Sequence, residues 1–392
     1  MAFGARWIRA TISSVLGLIL LSLSFLPAAG NTVEVPDVTA RSVFAFDPDT
    51  GEVILEQDAT TRAAIGSIAK VMTALVVMDH AELDDTVTIL SEDMVEPGYS
   101  AMGLQPGDTL TVEQLLTGLL VASGGDASRA LARHVGSNVA NTDDPEEPVR
   151  AFVDLMNDKA TEIQLDDTRF ANPDGEDDDD AWSTARDVAI MFAFLMEDPV
   201  LAAMVGEVSY DFMSVGAEAT PYTGQTTNQL GSESGVIGAK TGSETNAGGC
   251  IVLAREGASG ATEIIAILGS DLEYDETTWT ATVDERWTDA RIVMEAIDSH
   301  WTPGQNLPAT EPTVEPTAEP AFDLPGETPA PQVTLAESRP SGGASASTAP
   351  ILAVAVATGI IGLAGVLAWS RIIPRQPSNE GAPNEPSGTE WR

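Results

Sequence analysis

Residues 303 to 349 limit what this chain can fold into. In phrases such as ATEPTVEPTAEPAF and SRPSGGASASTAP, the Pro, Thr, Glu, Ala and Ser residues leave little apolar surface to bury, and prolines with like charges hold such a segment extended. It reads as a stalk, and at about 3 Å per residue it would reach on the order of 100 Å. Any core must therefore be completed before it. With 43% hydrophobic residues in a chain of 392, the remainder can bury a sizeable core, as one large or two ordinary domains.

The flanking segments speak to location. Beyond the stalk, ILAVAVATGIIGLAGVLAW runs from Ile351 to Trp369 without a charge and is followed by Arg371 and Arg375. That length and those arginines predict a transmembrane helix over 350–370 and a cytoplasmic tail over 371–392. Residues 1–30 carry Arg6 and Arg9, the apolar run TISSVLGLILLSLSFL and the small-residue phrase PAAG, the layout of a secretory signal peptide, with an uncleaved anchor as the alternative. The expectation is a single-pass protein of the cell membrane whose body, residues 39–301, lies outside the cytoplasm. A net charge of −41, with arginines scattered singly, repels nucleic acid and excludes it as a partner; it fits a heavily hydrated surface of the kind suited to high salt. The single cysteine, Cys250, has no internal disulfide partner and sits in an apolar run, which makes it a small core residue.

The body begins with SVFAFDPDTGEVILEQD, two strand-like runs joined by an Asp-Pro-Gly turn and read as a hairpin. Helical stretches follow, including AAIGSIAKVMTALVVMDH from Ala63 to His80, TVEQLLTGLLVASGGDASRALARHVG and AFVDLMNDKATEIQL. After about Gly235 the pattern returns to strands, GVIGAKTGSETN, GGCIVLARE and TEIIAILGSD, and closes with a helix over 284–300. Strands at both ends with helices between predict one sheet assembled from both ends and an inserted helical subdomain.

Chemistry enters with the lysines, of which there are three: Lys70, Lys159 and Lys240. On the first predicted helix Lys70 follows Ser67 by three residues, so amine and hydroxyl share a face. A serine hydroxyl is a poor nucleophile until a base takes its proton, and a lysine does so when burial or a neighbouring cation, here Lys240, depresses its pKa. The spacing alone is weak, since about one lysine in fifteen follows a serine in this way by composition. Two further phrases strengthen it. In GVIGAKTGSETN, Lys240 and Thr241 lie on a predicted strand, able to hold a carboxylate, beside Gly242, which admits close backbone approach; a free strand edge there would pair with an extended peptide. In SGGDAS, Ser123 stands at a helix start, where it could relay a proton or could belong to a flexible loop.

These three phrases in order resemble serine-type D-Ala-D-Ala carboxypeptidases, the low-molecular-mass penicillin-binding proteins of the β-lactamase/transpeptidase-like superfamily. The likeness extends to SAMGLQPGDTLTVEQLLTGLLVASGGDASRALARHVG and to MNDKATEIQLDDTRFANPDG. It implies an α/β fold of the α+β type, with helices on an antiparallel sheet beside a helical subdomain. It also implies Ser67 as nucleophile, Lys70 as its base and Ser123 as proton relay. Lys240 and Thr241 would bind the substrate carboxylate, with Gly242 and Ser243 completing the substrate strand and the N–H groups of Ser67 and Ser243 forming an oxyanion hole. The substrate would be a peptidoglycan stem peptide ending in D-Ala-D-Ala, penicillins would be trapped acyl donors, and no metal or cofactor is expected.

The sequence departs from the family pattern at two places. Gly125 stands where the second motif normally ends in asparagine; Asp126 or Asn228 is the expected substitute for the missing amide, or an ordered water takes its place. Asp174 stands where the family has histidine, followed by an acidic loop, Glu176 to Asp180, whose spacing matches no calcium loop and reads as solvated. Rival readings are a wall-binding module that lost turnover through Gly125, and a β-lactamase using Glu162 to activate water. His80, His134 and His300 lie on or at the ends of predicted helices, without partners for a triad or metal site.

Overall fold

The structure, a computed structural model, describes residues 32–140, 147–275 and 280–304. The predicted signal segment, almost all of the stalk, the transmembrane helix and the tail lie outside the described residues. Within them, β1 (Ser42–Phe46) and β2 (Val53–Gln57) form the predicted hairpin. The chain then makes a 3-10 turn, Gly66–Ala69, and continues through α1 (Lys70–His80), β3 (Thr86–Thr88), β4 (Thr109–Thr111), α2 (Val112–Val121) and α3 (Gly125–Val139). Next come α4 (Glu147–Glu162), α5 (Ala185–Glu197), α6 (Pro199–Gly206) and the hairpin of β5 (Ser209–Met213) and β6 (Pro221–Gln225). It returns as β7 (Val236–Glu244), β8 (Gly248–Glu256) and β9 (Thr262–Ser270), a short ribbon of β10 (Leu272–Tyr274) and β11 (Ala281–Asp284), and α7 (Arg286–His300).

The main sheet is antiparallel with order β2-β1-β9-β8-β7. The two ends of the body therefore pair directly, Phe44 opposite Ala266, and the helices are inserted between them. Alternation along the strands explains the layering. Phe44, Phe46, Cys250, Val252, Ile264 and Ala266 pack into one core with α1 to α5, whereas Val43, Ala45, Ile251, Leu253, Ile265 and Ile267 pack into a second core under α7. Because both faces are covered, these strands read as continuous apolar runs. The predicted α+β architecture is the one observed, and Cys250 is fully buried in the first core. Packing continues past 39–301 on both sides: Val33 is buried and bonded to Ile54, and the Gly304 N–H donates to Glu52 at 2.8 Å.

Sheet and α7 are also joined by a buried charge cluster. Arg255 on β8, with no exposed surface, donates from Nε to Glu263 on β9 at 2.7 Å and from Nη2 to Asp298 on α7 at 2.8 Å. A buried ion pair adds little net stability, but removing one partner strands the other charge. Glu263→Ala is therefore expected to destabilise the fold by about 3 kcal/mol, measured by urea unfolding monitored by tryptophan fluorescence; a loss below about 0.5 kcal/mol, within the range of ordinary surface substitutions, would show that Asp298 alone satisfies Arg255.

Candidate active site

Ser67 does not sit inside a long helix from Ala63 as the sequence pattern predicts. Ala63 bridges to Ser183, Gly66 has φ +55°, Ser67 lies on the 3-10 turn, and the α-helix begins at Lys70. The reason is crowding by backbone. A β-carbon on Gly242 would lie 2.1 Å from the Ile65 carbonyl oxygen, one on Gly175 2.1 Å from that of Gly66, and one on Gly66 2.8 Å from the Ser243 nitrogen. Three glycines thus let the turn carrying Ser67 nest between β7 and the Asn172–Gly175 loop. The same approach brings the start of this turn against the backbone nitrogen of Ser243.

Lys70 Nζ lies 2.8 Å from Ser67 Oγ and donates a short hydrogen bond of 2.5 Å to the Asp174 carbonyl. That carbonyl is fixed by its neighbour, since Thr73 on α1 and Ser128 on α3 both donate to the Pro173 carbonyl at 2.6 Å. The Asp174 side chain turns away to pair with Arg129 at 2.8 Å. The site thus uses this residue's backbone, which any side chain supplies, and the replacement of the family histidine leaves the contact with Lys70 in place.

Both site lysines are buried, Lys70 at 2% and Lys240 at 0% exposure. Burial pushes Lys70 down to about 8, against the opposing pull of Asp174 and Glu244, with Arg129 adding to the depression. The expected role of Lys240 as the depressing cation is corrected here: desolvation is the main cause. Lys240 is itself held well below the usual lysine range by burial, then by Lys70 and Arg286, because neighbouring cations disfavour its charge.

Lys240 Nζ meets Ser123 Oγ at 2.7 Å and the Thr241 carbonyl at 2.9 Å. Ser123 has φ +59°, a strained conformation for a residue other than glycine, of the kind that clusters at functional sites. Two residues on, the position of Gly125 is closed in: an added β-carbon would lie 3.0 Å from Val95 Cγ1 and 3.2 Å from the Ser100 carbonyl oxygen. Neither expected substitute faces the nucleophile. The Asp126 carboxylate accepts from the N–H groups of Met102, Gly103, Leu104 and Ala127. Asn228 is spent on its own turn, accepting from the Leu230 N–H and donating to the Gly231 carbonyl.

β7 is the edge strand of the main sheet. Thr241 bonds to Thr227 at 2.7 Å, and Ser243 Oγ accepts from Arg286 Nη2 at 2.7 Å. Arg286 was not among the sequence candidates. It is 3% exposed, donates to the Gly242 and Cys250 carbonyls, and pairs with Asp284 at 2.6 Å. A signal for it did exist, because a cation in the first turn of a helix opposes the helix dipole and needs another reason to be there. Ser67, Lys70, Gly125, Asp174 and Ser243 line one cavity of about 310 Å³. Glu162 is not among its lining residues: it ends α4 with its side chain 67% exposed and pairs with Lys159. His80 and His300 close α1 and α7, and His134 lies on α3.

Comparison with known proteins follows this geometry. The profile of the D-alanyl-D-alanine carboxypeptidase family matches residues 29–271. The chain is 35% identical over 261 residues to the D-alanyl-D-alanine carboxypeptidase of Streptomyces sp. strain K15, covering 64% of this chain and 88% of that protein. It is 30% identical over 242 residues to D-alanyl-D-alanine carboxypeptidase DacF of Bacillus subtilis, covering 59% of each. Among solved structures, the Streptomyces K15 DD-transpeptidase superposes with a TM-score of 0.60 at 32% identity, covering 67% of this chain and 98% of that one.

The close approach at β7 gives a direct test. Gly242→Ala places a methyl where the Ile65 carbonyl stands and shifts the Ser67 turn; misplacement of a reacting group by about 1 Å costs about 100-fold in rate. The expected outcome is a fall of that order in uptake of a labelled penicillin, with far-ultraviolet circular dichroism unchanged. Uptake at the parent rate would show that the turn is not held by this contact.

Proposed function

The chain belongs to the D-alanyl-D-alanine carboxypeptidase family and is a serine peptidase, and on that premise we propose that Ser67 attacks the carbonyl between the two terminal D-Ala residues of a peptidoglycan stem peptide. The observation that carries this reading is the 2.8 Å contact between Ser67 Oγ and the buried, pKa-depressed amine of Lys70. Neutral Lys70 takes the Ser67 proton as Oγ bonds to the carbonyl carbon. The oxyanion is received by the Ser67 and Ser243 N–H groups. As the C–N bond breaks, the departing D-Ala amine takes a proton; the 2.7 Å contact of Ser123 with Lys240 supports delivery through the Ser123 hydroxyl. Water then attacks the acyl-Ser67 ester and restores the enzyme. Lys240, Thr241 and Arg286, on and beside the Gly242–Ser243 strand, hold the terminal carboxylate. The negative charge of that carboxylate would favour the protonated form of Lys240, which burial otherwise disfavours. A β-lactam enters the same path and leaves its acyl group on Ser67.

Neither rival is favoured. A β-lactamase would need a carboxylate at the deacylating water, and Glu162 is exposed at the end of α4. A binding module without turnover would need no buried general base, yet Lys70 and Ser67 are in hydrogen-bond contact. We further read the protein as anchored in the cell membrane by Ile351 to Trp369, with the peptidase outside. The uncharged run and the arginines after it support this, and among the described residues no single helix is long and apolar enough to cross a membrane.

The base sets the pH dependence. Because Lys70 acts only when neutral and titrates at about 8, acylation by a labelled penicillin is expected to rise with pH through about that value and level off above it. Lys70→Arg, which cannot deprotonate, should fold and take up no label. A folded Arg variant labelled at the parent rate would end the serine–lysine mechanism.

A further inference from the structure

The cavity at Ser67 is also lined by Tyr99, Glu176, Glu244 and Tyr274, none of which the hydrolytic steps use. Glu244 stands apart from the other acids there. Asp174 and Glu176 both pair with Arg129, at 2.8 and 3.1 Å. The Glu244 carboxylate, partly buried at the end of β7, has no ion pair or hydrogen bond among the described residues. Its neighbour Asp177 accepts one N–H, from Asn246, and leaves Oδ1 buried without a partner among those residues. Burial, then Asp177, with Glu176 and Asp174 behind it, raises Glu244 to about 7, against the pull of Lys70. A carboxylate in that setting lacks a cation.

Strand geometry says where the cation would come from. Side chains alternate along β7, so Glu244 shares a face with Gly242 and Lys240, the face that meets Ile65 and Ser123 around the nucleophile. A peptide running along this edge, with its terminal carboxylate at Lys240–Thr241 and its scissile carbonyl at Ser243, brings its preceding residue to Glu244, at about 3.4 Å per residue. Tyr99 and Tyr274, which line the same cavity, are 40% and 39% exposed, and aromatic faces with a carboxylate suit an ammonium.

We propose that Glu244, which lines this cavity together with Tyr99 and Tyr274, is a specificity-determining residue that receives a side-chain ammonium on the amino acid immediately preceding D-Ala-D-Ala. The preferred stem peptides then carry a diamino acid with a free amine at that position. This inference rests on the reading of Ser67 as the nucleophile of a D-Ala-D-Ala peptidase.

The test compares kcat/KM for D-Ala release from Nα-acetyl-L-lysyl-D-Ala-D-Ala and from its Nα,Nε-diacetyl analogue, which lacks the charge. The full-length protein is expected to favour the free amine about tenfold, as befits one charge-assisted hydrogen bond, mainly through KM. Glu244→Gln should bring the ratio close to one, and Glu244→Asp should retain part of it. Glu218→Gln, an exposed acid in the loop between β5 and β6, changes the net charge equally and should leave the ratio as in the parent. Equal rates on the two peptides in the parent, a preference that survives Glu244→Gln, or one that falls equally with Glu218→Gln would each overturn the proposal while leaving the peptidase reading intact. If Glu244→Gln does not fold, as judged by uptake of a labelled penicillin, the parent ratio and the Asp and Glu218 variants decide. Release of D-Ala from neither peptide by the parent would overturn the peptidase reading and this inference with it.

Discussion

Two buried amines govern this site. An ammonium in an apolar interior costs several kcal/mol unless it is paired, and neither Lys70 nor Lys240 has a carboxylate within ion-pair distance among the described residues. Both are bonded instead to hydroxyls and backbone carbonyls, Ser67 and Asp174 for one, Ser123 and Thr241 for the other. Such partners satisfy an amine without holding its proton. The depression of both pKa values follows from this, and with it a base able to work near neutrality.

The rest of the fold delivers those partners. The sheet places Lys240 at an edge where one side of the strand is open to a peptide, and α1 carries Lys70 up to it. The Asn172–Gly175 loop is fastened from both sides at the Pro173 carbonyl, so that the next carbonyl meets Lys70. The glycines at 66, 175 and 242 let three backbone segments touch around Ser67. A side chain at any of them would force the segments apart, and preorganised backbone donors lose their value when misaligned.

Much of this was legible in the sequence, and what was not has physical reasons. The order of strands and helices and the sheet assembled from both ends followed from periodicity, and the candidates Ser67, Lys70, Ser123, Lys240 and Thr241 from spacing and from the resemblance their motifs carry. The sequence pattern ran the first helix back to Ala63, since apolar spacing cannot register that Gly66 adopts φ +55° under a neighbouring strand. It offered Asp126 and Asn228 in place of the missing asparagine, since adjacency in sequence does not reveal that the first carboxylate is engaged by four N–H groups and the second amide by its own turn. Arg286 went unseen because its partners Gly242 and Ser243 lie more than forty residues earlier.

Because the chain has only three lysines, the central claim, that Lys70 is a neutral-capable buried base, can be measured residue by residue. Nuclear magnetic resonance titration of ¹⁵N-lysine-labelled protein, assigned with single Lys→Arg variants, reads each amine directly. The account predicts Lys70 at about 8 and Lys240 well below the usual lysine range. Lys159, where burial is outweighed by the Asp79 carboxylate at 2.9 Å together with Glu162, should lie above it. Lys70 titrating with Lys159 near or above 10.5 would contradict the account, because the amine beside Ser67 would then hold its proton at every pH at which the enzyme works.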